Sequence, residues 1–255
     1  MKFTFPVLMA ILSSLSGCST QGLKDKNGGT LPFQVVTYEV SDKKTAPTVL
    51  ISHGSNGVQD HYREWAKLIK SWGYNAVIVD HYSVRGIGYH TGEFIPGARG
   101  EDRARDLVQA SEWVTQQPWH AGKMAAIGFG QGGAGIMALA ETQDNLEYYK
   151  IVGKGNRMPF VAGVAYYPTC ALYRPPSKPT IPIEIFFGGN DILSPMANCY
   201  PINNSLYTSV VYADATNAFD IKAPFNGAKY KHVYRPDLAA QSYQETKVFL
   251  DKYLR

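Results

Sequence analysis

The sequence predicts an α/β domain, a mostly parallel sheet with helices on both faces, and three observations carry the prediction. Short continuous runs of β-branched and aliphatic residues recur along the chain, as strands covered on both faces require. Segments with apolar residues at helical spacing lie between them. The two patterns alternate, which specifies strands joined by helical crossovers rather than a sandwich or a bundle. The 255 residues are 45% hydrophobic and only 18% charged. That is enough apolar material for one sizeable core and too much for a disordered chain. A formal net charge of +4 is too weak an excess to point to nucleic acid. Aromatic residues make up 13%, including 17 Tyr, which suits a large core.

Taken in order, Gln34 to Val40 alternates polar and apolar residues imperfectly and reads as an edge strand. Pro47 to Ser52 (PTVLIS) and Asn75 to Asp80 (NAVIVD) are continuous buried-strand runs. Between them Tyr62, Trp65, Ala66 and Ile69 mark one face of a helix. Ala104, Leu107, Val108 and Ser111 mark a second helix, Lys123 to Phe129 a strand, and Gln131 to Glu141 a helix that follows at once. Phe160 to Tyr166, Ile181 to Phe187 and Leu206 to Tyr212 supply three further strands. Ala239, Tyr243, Thr246, Leu250 and Tyr253 define a closing amphipathic helix. Neither an internal repeat nor a second-domain boundary is visible.

The N-terminus has a different character. Met1-Lys2 and the apolar run Phe3 to Leu15 form a charged start and a hydrophobic stretch too short to remain as a membrane span. Leu15-Ser16-Gly17-Cys18 resembles the lipobox of bacterial lipoproteins, in which cleavage exposes a cysteine that carries acyl chains. The resemblance implies a signal peptide over residues 1–17, a lipidated N-terminus and tether over 18–32, and a globular domain over 33–255. It also implies a bacterial cell-envelope location, anchored through Cys18 to a membrane surface. Ser19 after that cysteine leans towards the outer membrane, facing the periplasm. In such an oxidising space Cys170 and Cys199 are expected to bridge, the alternative being two free buried thiols. The six His are scattered singly, so no metal site is expected.

Ligands of parallel sheets gather at the carboxyl ends of the strands, which directs attention to the following loops. After the first parallel strand comes His53-Gly54-Ser55-Asn56-Gly57, a glycine-rich turn whose amides could face an oxyanion. Then come Asp80-His81-Tyr82-Ser83-Val84-Arg85-Gly86, the tight turn Gly128-Phe129-Gly130-Gln131-Gly132-Gly133, and Gly188-Gly189-Asn190-Asp191. The last strand is followed by Asp214 and the run Asn217-Ala218-Phe219-Asp220.

This order resembles the α/β-hydrolase fold and, more narrowly, the dienelactone hydrolase family, over residues 33 to 255. The shared features are the His-Gly turn, the Asp-x-x-x-x-Arg-Gly segment, the Gly-Phe-x-x-Gly-Gly elbow, Gly-x-x-Asp for the acid and Ala-Phe-Asp after the base. Cysteines near positions 170 and 199 also occur in related members, which supports the bridge. The resemblance implies hydrolysis of carboxylic esters or lactones by a nucleophile, an imidazole base and a carboxylate, without a cofactor. It assigns Asp191 to the acid position, Gly130 to the nucleophile position and Asn217 to the base position. It assigns His53, Gly54, Ser55, Gln131, His81 and Arg85 to the oxyanion turn and pocket.

Two of the three catalytic groups are therefore replaced. Glycine has no attacking atom, and an asparagine amide neither takes up a proton near neutral pH nor returns one. Both replacements suit a fold retained without its chemistry. Glycine tolerates the strained elbow, and the Asn217 amide can donate to Asp191 as imidazole would. The expected function is a catalytically inactive homologue that binds a small ester, lactone or carboxylate-like ligand, or an envelope partner. The alternatives are an active hydrolase that uses substitute residues, or an inactivated variant of an active parent. Ser55 and Ser194 are the substitute nucleophiles to consider, and His53, His81 and His90 the substitute bases.

Overall fold

In the computed structural model, residues 23–25, 27–40, 45–88, 95, 97–200, 202, 204–222 and 232–255 are described. The proposed signal peptide, Cys18 and His90 lie outside them. The strands are β1 (Gln34–Tyr38), β2 (Ala46–Ser52), β3 (Asn75–Asp80), β4 (His120–Phe129), β5 (Phe160–Tyr166), β6 (Ile183–Gly188) and β7 (Tyr207–Tyr212). The α-helices are α1 (Asp60–Ser71), α2 (Gly100–Val114), α3 (Gln131–Leu139), α4 (Gln143–Tyr148) and α5 (Pro236–Leu254). They build a seven-stranded sheet in the order β1-β3-β2-β4-β5-β6-β7. Only β1 is antiparallel to its neighbour.

Alternation along the central strands divides the core into two layers. Leu50, Val77 and Val79 face one way and pack with Leu107 of α2 and Ile136 and Met137 of α3. Val49, Ile51, Ala76 and Ile78 face the other way, against Trp65 and Ile69 of α1 and Phe249 and Leu250 of α5. Both faces are thus covered, which explains why the central strands read as unbroken apolar runs. Among the described residues no helix is long and apolar enough to cross a membrane.

The differences from the sequence reading are local. Strand β4 begins at His120 rather than Lys123, because its first part pairs at Ala46 before a register shift. The α3 helix stops at Leu139, and a short helix α4, absent from the sequence reading, follows it. Proline at position 182 delays β6 to Ile183, as expected of a residue with no amide hydrogen for the ladder. In α5, Phe249 is buried in addition to the residues that the periodicity marks, and Tyr253 packs partly buried against the same core.

Candidate functional site

The turn between β4 and α3 has Gly130 at φ 54° and ψ −112°. This conformation lies outside the left-handed helical well as well as the ordinary regions, so a side chain there would be strained. The backbone is pinned on several sides. Gly130 donates to the Tyr166 carbonyl at 3.0 Å, and its own carbonyl accepts from Ala134 at 3.1 Å and Thr169 at 3.0 Å. The geometry is that of a strand-to-helix elbow that would present its central side chain above the sheet. A Cβ placed on Gly130 would find the Thr169 hydroxyl at 3.9 Å and no closer neighbour. The position is sterically open but has no reactive atom. Gly132 serves packing instead: a Cβ there would collide with the Ser52 carbonyl, so α3 approaches β2 only through a glycine.

Asp191 follows β6 and is buried. Its Oδ1 accepts the amides of Leu193 at 2.8 Å and Ser194 at 2.9 Å. Its Oδ2 accepts Nδ2 of Asn217 at 2.8 Å. An ionised carboxylate can only accept, so the amide must turn its NH₂ towards it. The carboxylate is thus held from the loop after β6 and capped from the loop after β7. Thr169 Oγ1 lies 3.2 Å from Ser194 Oγ, which links the Gly130 elbow to the Asp191 loop. The Cys170–Cys199 disulfide, with Cα atoms 5.1 Å apart, ties the same two loops together. Its second cysteine closes the 3₁₀ turn Met196–Cys199 that follows Asp191. Positions 130, 191 and 217 therefore converge at the carboxyl edge of the sheet.

The expected pocket residues fare differently. His53 and His81 are fully buried. His53 Nδ1 lies 2.6 Å from the Gly54 carbonyl, and its Nε2 accepts the His81 amide at 3.1 Å. His81 lies between Ser52 Oγ at 2.9 Å and Asp106 Oδ2 at 2.7 Å. Burial, with the positive charges of Arg103 and Arg85 nearby, holds the His81 imidazole well below its usual pKa. His53 is lowered in the same way, by burial first and then by Arg103. Arg85 grips Asp106 with both guanidinium nitrogens at 2.7 and 2.9 Å and bonds the His81 carbonyl. It clamps the loop after β3 to α2. The Gly54 amide, expected to face an oxyanion, donates to the Tyr62 hydroxyl at 2.8 Å. The Gln131 side chain turns inward, accepting from Tyr82 at 2.6 Å and Arg103 at 3.1 Å. Ser55 is half-buried in the turn. Ser194 is buried, and its hydroxyl meets Thr169 rather than an imidazole.

Three arrangements escaped the sequence reading. Ser52, His81 and Asp106 have the connectivity of a hydrolase triad but are 0%, 0% and 1% exposed, so no substrate reaches them. Their separation along the chain offered no spacing signal. His232 Nδ1 lies 3.1 Å from the Asn217 carbonyl, which places an imidazole at the edge of the base position. Buried Asp220 accepts from Trp65 Nε1 at 3.1 Å and the Tyr167 hydroxyl at 2.9 Å and faces His61 Nε2 at 3.2 Å. These bonds hold its carboxyl below the usual range although burial alone would raise it. Among the described residues no group of three or more His, Cys, Asp or Glu is placed to hold a metal ion.

The family model that matches, X-Pro dipeptidyl-peptidase (S15 family), covers residues 30–149, which include the Gly54 turn and the Gly130 elbow. A curated relative, acylamino-acid-releasing enzyme 2 of Oryza sativa subsp. japonica, is 29% identical over 110 residues, 42% of this chain. The match spans 14% of that longer protein. Among solved structures, a dienelactone hydrolase-like promiscuous phosphotriesterase from metagenomic libraries superposes with a TM-score of 0.64 at 15% identity. The match covers 88% of this chain and all of that one. An esterase of Pyrococcus furiosus gives 0.61 at 16% identity, covering 91% of each chain. A carboxylesterase of Lactobacillus plantarum gives 0.62 at 15%, covering 86% and 92%. Strand order, crossover helices and elbow agree with these likenesses, and the chain has the α/β-hydrolase fold with dienelactone hydrolase-like structural neighbours.

Proposed function

We propose that this chain is a hydrolase-fold protein without hydrolytic activity, which binds a small ester, lactone or carboxylate-like molecule, or an envelope partner, where its relatives carry out chemistry. The Asn217 to Asp191 hydrogen bond at 2.8 Å carries the reading. The group bonded to the Asp191 carboxylate is a carboxamide rather than an imidazole, and the elbow ends in glycine, which supports the reading. In serine hydrolases, loss of the nucleophile or the base alone costs on the order of 10⁶ in rate. The test is incubation of the purified full chain with a chromogenic short-chain ester and a serine-directed fluorophosphonate. Neither turnover nor labelling is expected. Turnover abolished by Asp191→Ala, or stoichiometric labelling of a serine, would contradict the proposal.

A second reading, a residual hydrolase with a displaced base, has one observation in its favour: the His232 imidazole 3.1 Å from the Asn217 carbonyl. It requires water as the attacking group, because glycine supplies none. Activity lost in His232→Gln and following an imidazole-like pH profile would favour it.

The envelope location is proposed on the strength of Leu15 to Cys18. Metabolic labelling with a fatty acid should mark the wild-type chain and not Cys18→Ser. Equal labelling of both would remove the anchor from the proposal.

A further inference from the structure

A cavity lies away from Gly130, Asp191 and Asn217, between the first turns of α1 and α5. Its volume is about 430 Å³, within the range of small-molecule sites. The wall is largely apolar and aromatic, with Trp65, Tyr234 and Tyr243 among the lining residues. The Trp65 and Tyr243 rings meet edge to face, 4.7 Å apart and inclined at 77°; Trp65 is buried, and Tyr243 and Tyr234 are the half-buried rings of the wall. Asp220 lies at its floor with His61, and Asp60 and Glu64 stand at its mouth.

The charges decide what such a space favours. Three carboxylates line it, against one lysine, Lys222, and the His61 imidazole. Outside the lining, Lys67 contacts Glu64 at 2.8 Å and Arg63 approaches Asp60 at 3.8 Å. Water screens both members of each of these exposed pairs, which leaves the buried Asp220 as the charge that acts on the interior. The Asp220 carboxyl is shielded from water, which alone would raise its pKa, and the His61 charge first and then its donors bring it below the usual range. It therefore keeps its charge where the local dielectric is low. The Tyr62 and Tyr243 hydroxyls, raised chiefly by burial, are raised further by the Asp220 charge. Aromatic faces and a negative field together select cations, since a ring quadrupole attracts positive charge and desolvation strengthens the contact.

We propose that the cavity between α1 and α5 binds an organic cation, an ammonium group on an apolar body, with the charge beside the Tyr234 and Tyr243 rings and the apolar part against Leu68 and Ile221. The inference does not depend on whether the Gly130 site is inert, because it uses none of that site's residues. Asp220 belongs to the same loop as Asn217, three residues further on. The two sites thus share one connection between β7 and α5.

The test uses the full chain and three probes of similar size: benzyltrimethylammonium, phenylacetate and 3-phenylpropanol. Isothermal titration calorimetry with saturation-transfer NMR should show the ammonium compound binding at least about ten-fold more tightly than either other probe. Ala240 lines the cavity from an exposed turn of α5, so Ala240→Phe should fill the space and abolish binding while the chain stays folded. The paired change Asp60→Asn with Glu64→Gln should weaken binding about three-fold at low salt and little at high salt. Tighter binding of phenylacetate or of the neutral alcohol would overturn the proposal. So would unchanged ammonium binding in the folded Ala240→Phe protein, or no binding of the ammonium probe to the wild-type chain at 10-fold millimolar excess, on the order of 10 mM.

Discussion

Gly130→Ala isolates the backbone strain of the elbow from any chemistry. The residue sits at φ 54° and ψ −112°, and an added Cβ would come no closer than 3.9 Å to Thr169 Oγ1. Crowding is therefore excluded, and the whole cost must come from the backbone conformation, about 1 to 3 kcal/mol for a non-glycine residue. The cost has little room to relax. Hydrogen bonds from Gly130 to Tyr166 and from Ala134 and Thr169 to Gly130 fix the peptide on both sides. For a chain of this size each kcal/mol lowers the Tm by roughly 2 to 4 °C. Thermal and urea unfolding of the wild type and Gly130→Ala, with Gly88→Ala alongside, provide the measurement. Gly88 has open space and no positive φ, so its replacement should change stability by no more than about 0.5 kcal/mol. A Gly130→Ala protein as stable as the wild type would refute the strain argument, and with it the idea that glycine relieves the elbow.

Two further outcomes follow from buried groups elsewhere. Burial, and then the negative charge of Glu245, push the Glu184 carboxyl from 4.5 up to about 7. The folded state therefore holds a proton that the unfolded state has released. Stability should fall as pH rises from about 4.5 through 7, by up to roughly 3 kcal/mol. Denaturant titrations of wild type and Glu184→Gln should converge near pH 5 and separate by pH 8, the variant then being the more stable; a difference that ignores pH would count against this. Reducing the Cys170–Cys199 bridge, which closes a separation of 29 residues, should cost about 3.5 kcal/mol in the chain-entropy model. Unfolding with and without reductant, compared with Cys170→Ala/Cys199→Ala, measures it, and equal stabilities would show that the loops are held by packing alone.

Much of the fold was legible because the central strands are covered on both faces. Pro47 to Ser52 and Asn75 to Asp80 had to be continuously apolar, and the helix between them had to place Tyr62, Trp65, Ala66 and Ile69 on one side. The boundaries were less visible where tertiary pairing sets them, as at the start of β4, and where a helix as short as α4 has too few residues for a period to show. In the candidate site, the Asp191–Asn217 contact could be anticipated because carboxylate and carboxamide have complementary hydrogen-bonding groups. The fate of His53, His81 and Arg85 could not. Their partners, Asp106 on α2 and Ser52 on β2, are brought near only by packing of α2 against the sheet. A histidine beside a glycine turn has the same sequence signature whether it faces a ligand or the core. The His61–Asp220 pair was hidden for a similar reason, its members being 159 residues apart and joined only when α1 and α5 cover the same face.

The most direct test of the central claim is to put back the two missing groups. Gly130→Ser/Asn217→His should place a hydroxyl on the open elbow and an imidazole against Asp191, in place of the Asn217 amide, in a scaffold whose acid is already held by two backbone donors. The account predicts ester hydrolysis on the order of 10² or more above wild type for the double variant, and little for either single change, because the groups act as a unit. A wild-type chain that turns over ester as fast as a folded double variant would contradict it.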